Sequence, residues 1–148
     1  MSSDPVPAGL VVTAMAWRQQ LPQVRVLCRE SASVPAARHF VVDVLKDWGL
    51  VSVLDDAALV VTELVTNAFG HTETPSVRVV VRRVPSDAIR IIVIDERPEL
   101  WPALRSARPL GSGGRGLALV EAVTTAWGCT RLPREKYVWA DLKVAKGA

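Results

Sequence analysis

Glu63 and Asn67 stand four residues apart in the run Asp-Ala-Ala-Leu-Val-Val-Thr-Glu-Leu-Val-Thr-Asn-Ala-Phe-Gly-His, which fills positions 56–71. On a helix that spacing sets a carboxylate and a carboxamide side by side, one turn apart. Held in register, the two can share a hydrated cation and an attacking hydroxyl. Two other features carry chemistry. Ile89, Ile91 and Val93 mark the inward face of a strand, and the same period of two puts Asp95 on that face at its last position. A carboxylate aimed at the core costs several kcal/mol in desolvation unless it meets a donor, so Asp95 has a backbone or arginine partner, or a ligand. Finally, Gly111-Ser-Gly-Gly-Arg-Gly leads into an apolar helical run. Glycines there let backbone N–H groups approach an anion beside the positive end of the helix, and Arg115 adds a full charge. The same composition also suits a hinge with no ligand.

The elements must position these groups. Wound as a helix, 56–71 gathers Ala57, Val60, Val61, Leu64 and Ala68 into one stripe, widened by Ala58, Val65 and Phe69. Asp56, Glu63 and Asn67 fall along the opposite border, because offsets of seven and eleven residues nearly return to one angle. Val60, Val61, Thr62, Val65 and Thr66 are mediocre helix formers, so tertiary burial must hold the helix. A strand would line Glu63 up with Leu59, Val61 and Val65, which is poor alternation. Taken alone, a Glu/Asn pair at this spacing is more often the solvated edge of such a helix.

Along the chain, residues 1–9 read as loose, and 10–17 and 23–28 as short strands split by Gln19, Gln20 and Pro22. Ser31 and Ser33 before Pro35 announce a capped helix with the stripe Ala37, Phe40, Val41, Val44, Leu45 and Trp48, ended at Gly49 by a left-handed cap. Arg38 in it reads as solvated. Val77, Val79 and Val81 alternate with Arg78, Val80 and Arg82 as a strand, and Pro85-Ser86-Asp87 turns the chain into the strand ending at Asp95. Pro98, Pro102 and Pro109 break the segment 97–110, which also carries Arg97, Arg105 and Arg108 and reads as a lid or binding loop. Leu117, Val120, Thr124 and Trp127 mark a helix stopped by Gly128. A strand at 129–132, a turn at Pro133-Arg134-Glu135 and a strand at 136–144 close the chain, with Val138, Ala140, Leu142 and Val144 on one face of the last.

Composition narrows the classes. The 148 residues read as one domain, with 49% hydrophobic and 22% charged residues, as in an ordered soluble protein. The longest apolar runs are too short to span a bilayer. Residues 10–17 resemble a signal core, but Asp4 stands where a basic leader segment belongs, so the chain reads as not secreted. Cys28 and Cys129 show no metal spacing and read as buried thiols in a reducing cytoplasm, or as a single disulfide. With a net charge of +3 and no block of like charge, nucleic acid is poorly supported as a partner. The five tryptophans are too scattered for a base-stacking platform and read mostly as packing.

Gly111, Gly113 and Gly116 satisfy the dinucleotide fingerprint literally, but its context fails. The segment before them is proline-broken, and only 32 residues follow Gly116. A nicotinamide-linked enzyme is therefore disfavoured. A Walker loop fails as well, since no Lys-Ser or Lys-Thr follows the glycines.

Read together, helix Glu63-x-x-x-Asn67, strand-end Asp95 and a glycine-rich lid before a helix resemble the histidine-kinase-like (Bergerat-fold, GHKL) ATP-binding family. More narrowly, the chain is similar to the bacterial anti-sigma factor and serine/threonine protein kinase branch. The likeness runs from about residue 31 to 142 and rests on Glu-Leu-Val-Thr-Asn-Ala at 63–68 with His71, Gly-Arg-Gly-Leu-Ala-Leu-Val at 114–120, Trp127-Gly128 and Val138-Trp139-Ala140. It implies an α+β, two-layer sandwich whose mixed, mostly antiparallel sheet is covered on one face by helices, with ATP held between helices and lid. By the same analogy Asn67 presents its side-chain oxygen to Mg²⁺, Glu63 orients or deprotonates the nucleophile, and Asp95 accepts from the adenine amino group. Gly111, Gly113, Gly114 and Gly116 wrap the phosphates with Arg115 as a charge clamp. The implied activity is that of a cytoplasmic anti-sigma regulator, which holds a sigma factor and phosphorylates an anti-anti-sigma (STAS-type) antagonist. A homodimer would use an exposed sheet face or helix. A binding module that uses ATP only structurally, or not at all, is the other class. One departure stands out: the wider family has Asp-x-Gly at the adenine, where this chain has Asp95-Glu96-Arg97.

Overall fold

The computed structural model describes residues 21–71, 73–85, 87–96 and 112–144, with 71 and 112–117 described by backbone alone. The expected strand at 10–17, the segment 97–110 and Gly111 lie outside the described residues. Strand β1 (Gln23–Cys28) leads to α1 (Ser33–Asp47); a 3-10 turn (Val51–Val53) then precedes α2 (Leu54–His71). Strands β2 (Ser76–Val84) and β3 (Ala88–Asp95) follow, then α3 (Ser112–Val123), β4 (Ala126–Arg131) and β5 (Lys136–Lys143). The strand order is β1-β2-β3-β5-β4, and every described pairing is antiparallel. The architecture is the expected α+β sandwich: helices on one face of an open sheet.

The core lies between those layers. Val77, Val79, Val81, Ile89, Ile91, Val93, Val138, Ala140 and Leu142 face inward, as strict alternation requires. Against them lie Ala37, Val41, Val44 and Leu45 of α1 and Ala57, Val60, Val61, Leu64, Val65 and Ala68 of α2, with Val120 of α3 completing the cluster. The α2 stripe is the one its 3.6-residue period dictates. Gly49 ends α1 region at φ 75°, the left-handed conformation a side chain resists, while Leu50 donates back to the Leu45 carbonyl. No described helix is long and apolar enough to cross a membrane.

Four local expectations need correction. Ser33 does not cap α1; its hydroxyl donates to the Cys28 carbonyl and accepts from Glu30 N–H, tying the β1–α1 loop together. The glycine run is not a loop ahead of a helix, because α3 begins at Ser112 and takes Gly113, Gly114 and Gly116 into its first turns. The same helix ends at Val123, and Trp127 and Gly128 belong to β4. Trp127 matched the helical spacing by coincidence, while the β-branched Thr124 and Thr125 lead into a strand whose pairing with β5 overrides it. Finally, Cys28 is exposed and Cys129 half-buried, and neither is in a disulfide. Cys28 ends an edge strand on the face away from the helices.

That outer face carries an apolar row in register across the sheet: Val24, Val80, Ile92, Trp139 and Gly128. Arg90 lies over the Trp139 ring at 4.2 Å and grips Asp141 with two hydrogen bonds of 2.6 and 2.9 Å. Those bonds hold the Arg90 guanidinium above its usual pKa. The indole, thus pinned, lies against Gly128, where a Cβ would come within 2.7 Å of it. Gly128→Ala is expected to destabilise the protein by about 1–3 kcal/mol, as overpacking does. A urea melt reads this as a lower midpoint; an unchanged midpoint would show that the indole yields freely.

Candidate functional site

The topology brings the chemically interesting residues to one end of the sheet. Helix α2 leaves through residues 73–75 into Ser76, and the start of β2 lies beside the end of β3, with Arg78 opposite Ile94. The last turns of α2, with Asn67, therefore lie at the Asp95 end. Strand β5 begins there too, with Lys136 directly opposite Asp95. Only Thr124 and Thr125 separate α3 from β4, whose far end, Arg131, pairs with Lys136. A link that short sends α3 back across the sheet, so its first turn returns to the same end.

Along the border of α2 burial rises toward this end: Asp56 is exposed, Glu63 half-buried and Asn67 only 8% exposed. The Asn67 Oδ1 atom is buried with no hydrogen-bond partner. A buried acceptor left this way costs about 1–3 kcal/mol, a cost that a cation or donor placed there would offset. A carboxamide oxygen suits a hard cation such as Mg²⁺, which takes oxygen donors from few protein groups and keeps waters and phosphate oxygens for the rest. The residues present fit that ion. Glu63 lies about 6 Å further along the same edge, at 1.5 Å per residue.

Asp95 is 1% exposed, as its inward phase requires, and meets a lysine, which the strand pattern had not indicated. Lys136 Nζ stands 3.5 Å from Asp95 Oδ2 and its side chain is 2% exposed. Arg29 fixes the nearby end of α2. Its Nη1 donates to the Phe69 carbonyl at 2.8 Å and its Nε to the Thr74 carbonyl at 3.0 Å, with the guanidinium over the Phe69 ring at 5.1 Å. A cation on the last carbonyls of a helix meets both unpaired acceptors and the negative end of the dipole. The backbone of Ser112, Gly113, Gly114 and Arg115 opens α3, so their N–H groups are those that a helix leaves without internal acceptors. Gly111 lies outside the described residues. A cavity of about 510 Å³ lined by Val84, Ala88, Arg90, Thr125 and Asp141 sits at the other end of the strands and shares no residue with this cluster.

A model of the histidine kinase-like ATPase domain matches residues 28–140. The chain belongs to that family. Two solved structures share the fold of this ATPase-family chain. One contains the RsbU and RsbW domains of a Mycobacterium tuberculosis protein, at 18% identity and a TM-score of 0.62. The match covers 87% of this chain, which spans only 34% of that one. The other is the SiaB–SiaC complex of Pseudomonas aeruginosa, at 14% identity and a TM-score of 0.59, covering 90% of this chain and 97% of that one. Among curated proteins, none matches the chain.

Sequence reasoning missed Lys136 and Arg29. Lys136 lies two residues before Val138, so extending that inward face backward would have found its direction, though not its partner. Arg29 reaches a carbonyl 40 residues away, for which the sequence holds no signal. Asn67→Leu is expected to raise the stability of the ligand-free histidine kinase-like domain by about 1 kcal/mol, by removing an unpaired buried oxygen. A melting temperature that falls instead would make the carboxamide a structural group.

Proposed function

We propose that this chain is an ATP-binding anti-sigma regulator that phosphorylates a serine or threonine on an anti-anti-sigma (STAS-type) antagonist. The observation that carries the reading is the buried, unpaired Oδ1 of Asn67, at the end of the sheet where Asp95 and the opening of α3 also lie. Membership of the histidine kinase-like ATPase family supports it. So do the motifs at 63–68 and 114–120, which resemble the anti-sigma branch. One neighbour of the same fold is a complex of two proteins and the other joins RsbU and RsbW domains, which is consistent with work on a protein partner.

In this reading Asn67 offers Oδ1 to Mg²⁺, and Asp95 accepts a hydrogen bond from the adenine amino group. The N–H groups at the start of α3, with Gly111, Gly113, Gly114 and Gly116, face the phosphates, and Arg115 supplies positive charge. Bound Mg-ATP supplies the γ-phosphoryl group, whose bond to ADP breaks as its bond to the acceptor hydroxyl forms. Glu63 orients that hydroxyl and takes its proton, a role typically worth about 10²–10⁴ in rate. A sigma factor is the second partner, the bacterial cytoplasm the setting, and a homodimer the expected assembly.

A second reading, a binding module without phosphotransfer, is favoured by one observation. Asp95 is sealed from solvent against Lys136 and is followed by Glu96 and Arg97 where the wider family has x-Gly. Incubation with labelled ATP, Mg²⁺ and a STAS-type antagonist separates the two. Label is expected on the antagonist and to fall by about 10²–10⁴ in Glu63→Ala while antagonist binding persists. Binding without transfer in the wild type would overturn the kinase.

A further inference from the structure

Asn67 can serve a cation only while its carboxamide stays where α2 holds it, and the last turn of that helix is poorly suited to hold itself. The Asn67 carbonyl accepts from the N–H four residues on, so its peptide is ordered only while the helix is intact to its end at His71. That final turn contains Gly70, at which a Cβ would meet nothing within 4 Å, so no close packing steadies it there. A glycine inside a helix costs about 1 kcal/mol relative to alanine, and the last carbonyls have no donors within the helix. An end of that make-up frays unless something outside it holds those carbonyls.

Arg29 does so. It donates to three carbonyls along the exit from α2: Nη1 to Phe69 at 2.8 Å, Nε to Thr74 at 3.0 Å and the backbone N–H to Pro75 at 2.9 Å. The Phe69 ring lies under the guanidinium at 5.1 Å. Thr74 is fully buried and anchored in turn, its hydroxyl donating to the Ser76 carbonyl at 2.7 Å, where β2 begins. The fork thus ties the helix end to a strand of the sheet. A planar guanidinium can span two carbonyls at once, whereas an ammonium is a single point of charge. Resting on the nucleotide reading above, we propose that Arg29 is a positioning residue for the divalent cation. By closing the last turn of α2 it holds Asn67 Oδ1 at the metal, and so sets the Mg²⁺-dependent part of the nucleotide affinity.

The test reads the ratio of ATP affinity in Mg²⁺ to ATP affinity in EDTA, which a merely structural cap would leave unmoved. Calorimetric titrations of the full chain are expected to show tighter binding with Mg²⁺ in the wild type. Arg29→Met is expected to lose about tenfold of that gain, as outer-shell partners of a metal do, with the EDTA value little changed. Arg29→Lys is expected to fall between the two. Asn67→Ala is expected to lose the gain, and adding Arg29→Met to it to lower the ratio no further, since both act on one oxygen. An unchanged ratio in Arg29→Met, an equal loss with and without metal, or a further fall in the double variant overturns this proposal and leaves the nucleotide reading standing. Absence of any Mg²⁺ gain in the wild type, or a gain that Asn67→Ala keeps, overturns the metal reading at Asn67 and this proposal with it. Should Arg29→Met not fold, Arg29→Lys decides in its place.

Discussion

Burial of one stripe of α2 fixes the geometry of the whole candidate site. The helix is made largely of β-branched and polar residues and holds its shape because Ala57, Val60, Val61, Leu64, Val65 and Ala68 are removed from water between α1 and the sheet. Those contacts set the rotation of the helix about its axis. Rotation in turn decides that Glu63 is half-buried at the edge of the stripe and that Asn67, one turn on, is buried. Arg29 then sets the axial position by clasping the carbonyls of Phe69 and Thr74. With both fixed, the carboxamide cannot withdraw from its buried place at the sheet end.

Polar groups at that end run against the rules that govern the rest of the core. Elsewhere the buried inward-facing strand residues are aliphatic; here a carboxylate, an ammonium and a carboxamide are all nine-tenths or more buried. Such groups are retained at the expense of local stability, as happens where ligands bind. The opposite end of the sheet shows the contrast. There the Arg90–Asp141 pair, stacked on Trp139, lies on the open face with two good hydrogen bonds and acts as a surface brace. The same residue types thus do different work, according to which face and which end of a strand they occupy.

Much of this was legible in the sequence. The α2 border follows from angular offsets, the inward aim of Asp95 from strand alternation, and the left-handed end near Gly49 from the residue itself. What the sequence hid were relations between elements. Lys136 meets Asp95 only because β3 pairs with β5 and passes over β4, a neighbour relation that no local pattern states. The end of the last helix was misread for a similar reason. Trp127 continued a helical spacing, but pairing with β5 drew residues 126–131 into the sheet and required a glycine at 128 to seat the Trp139 indole. Ser33, placed like a cap, found a better acceptor in the Cys28 carbonyl than the helix offered.

The central claim is that one end of the sheet gathers oxygen donors, a charged pair and a helix opening into a single nucleotide site. A crystal structure with Mg²⁺ and a non-hydrolysable ATP analogue tests it most directly. The account predicts the metal on Asn67 Oδ1, the base against Asp95, and the phosphates at the first turn of α3. An analogue seated elsewhere, for example in the cavity beside Arg90 and Thr125, with Asn67 Oδ1 still unligated, would contradict it.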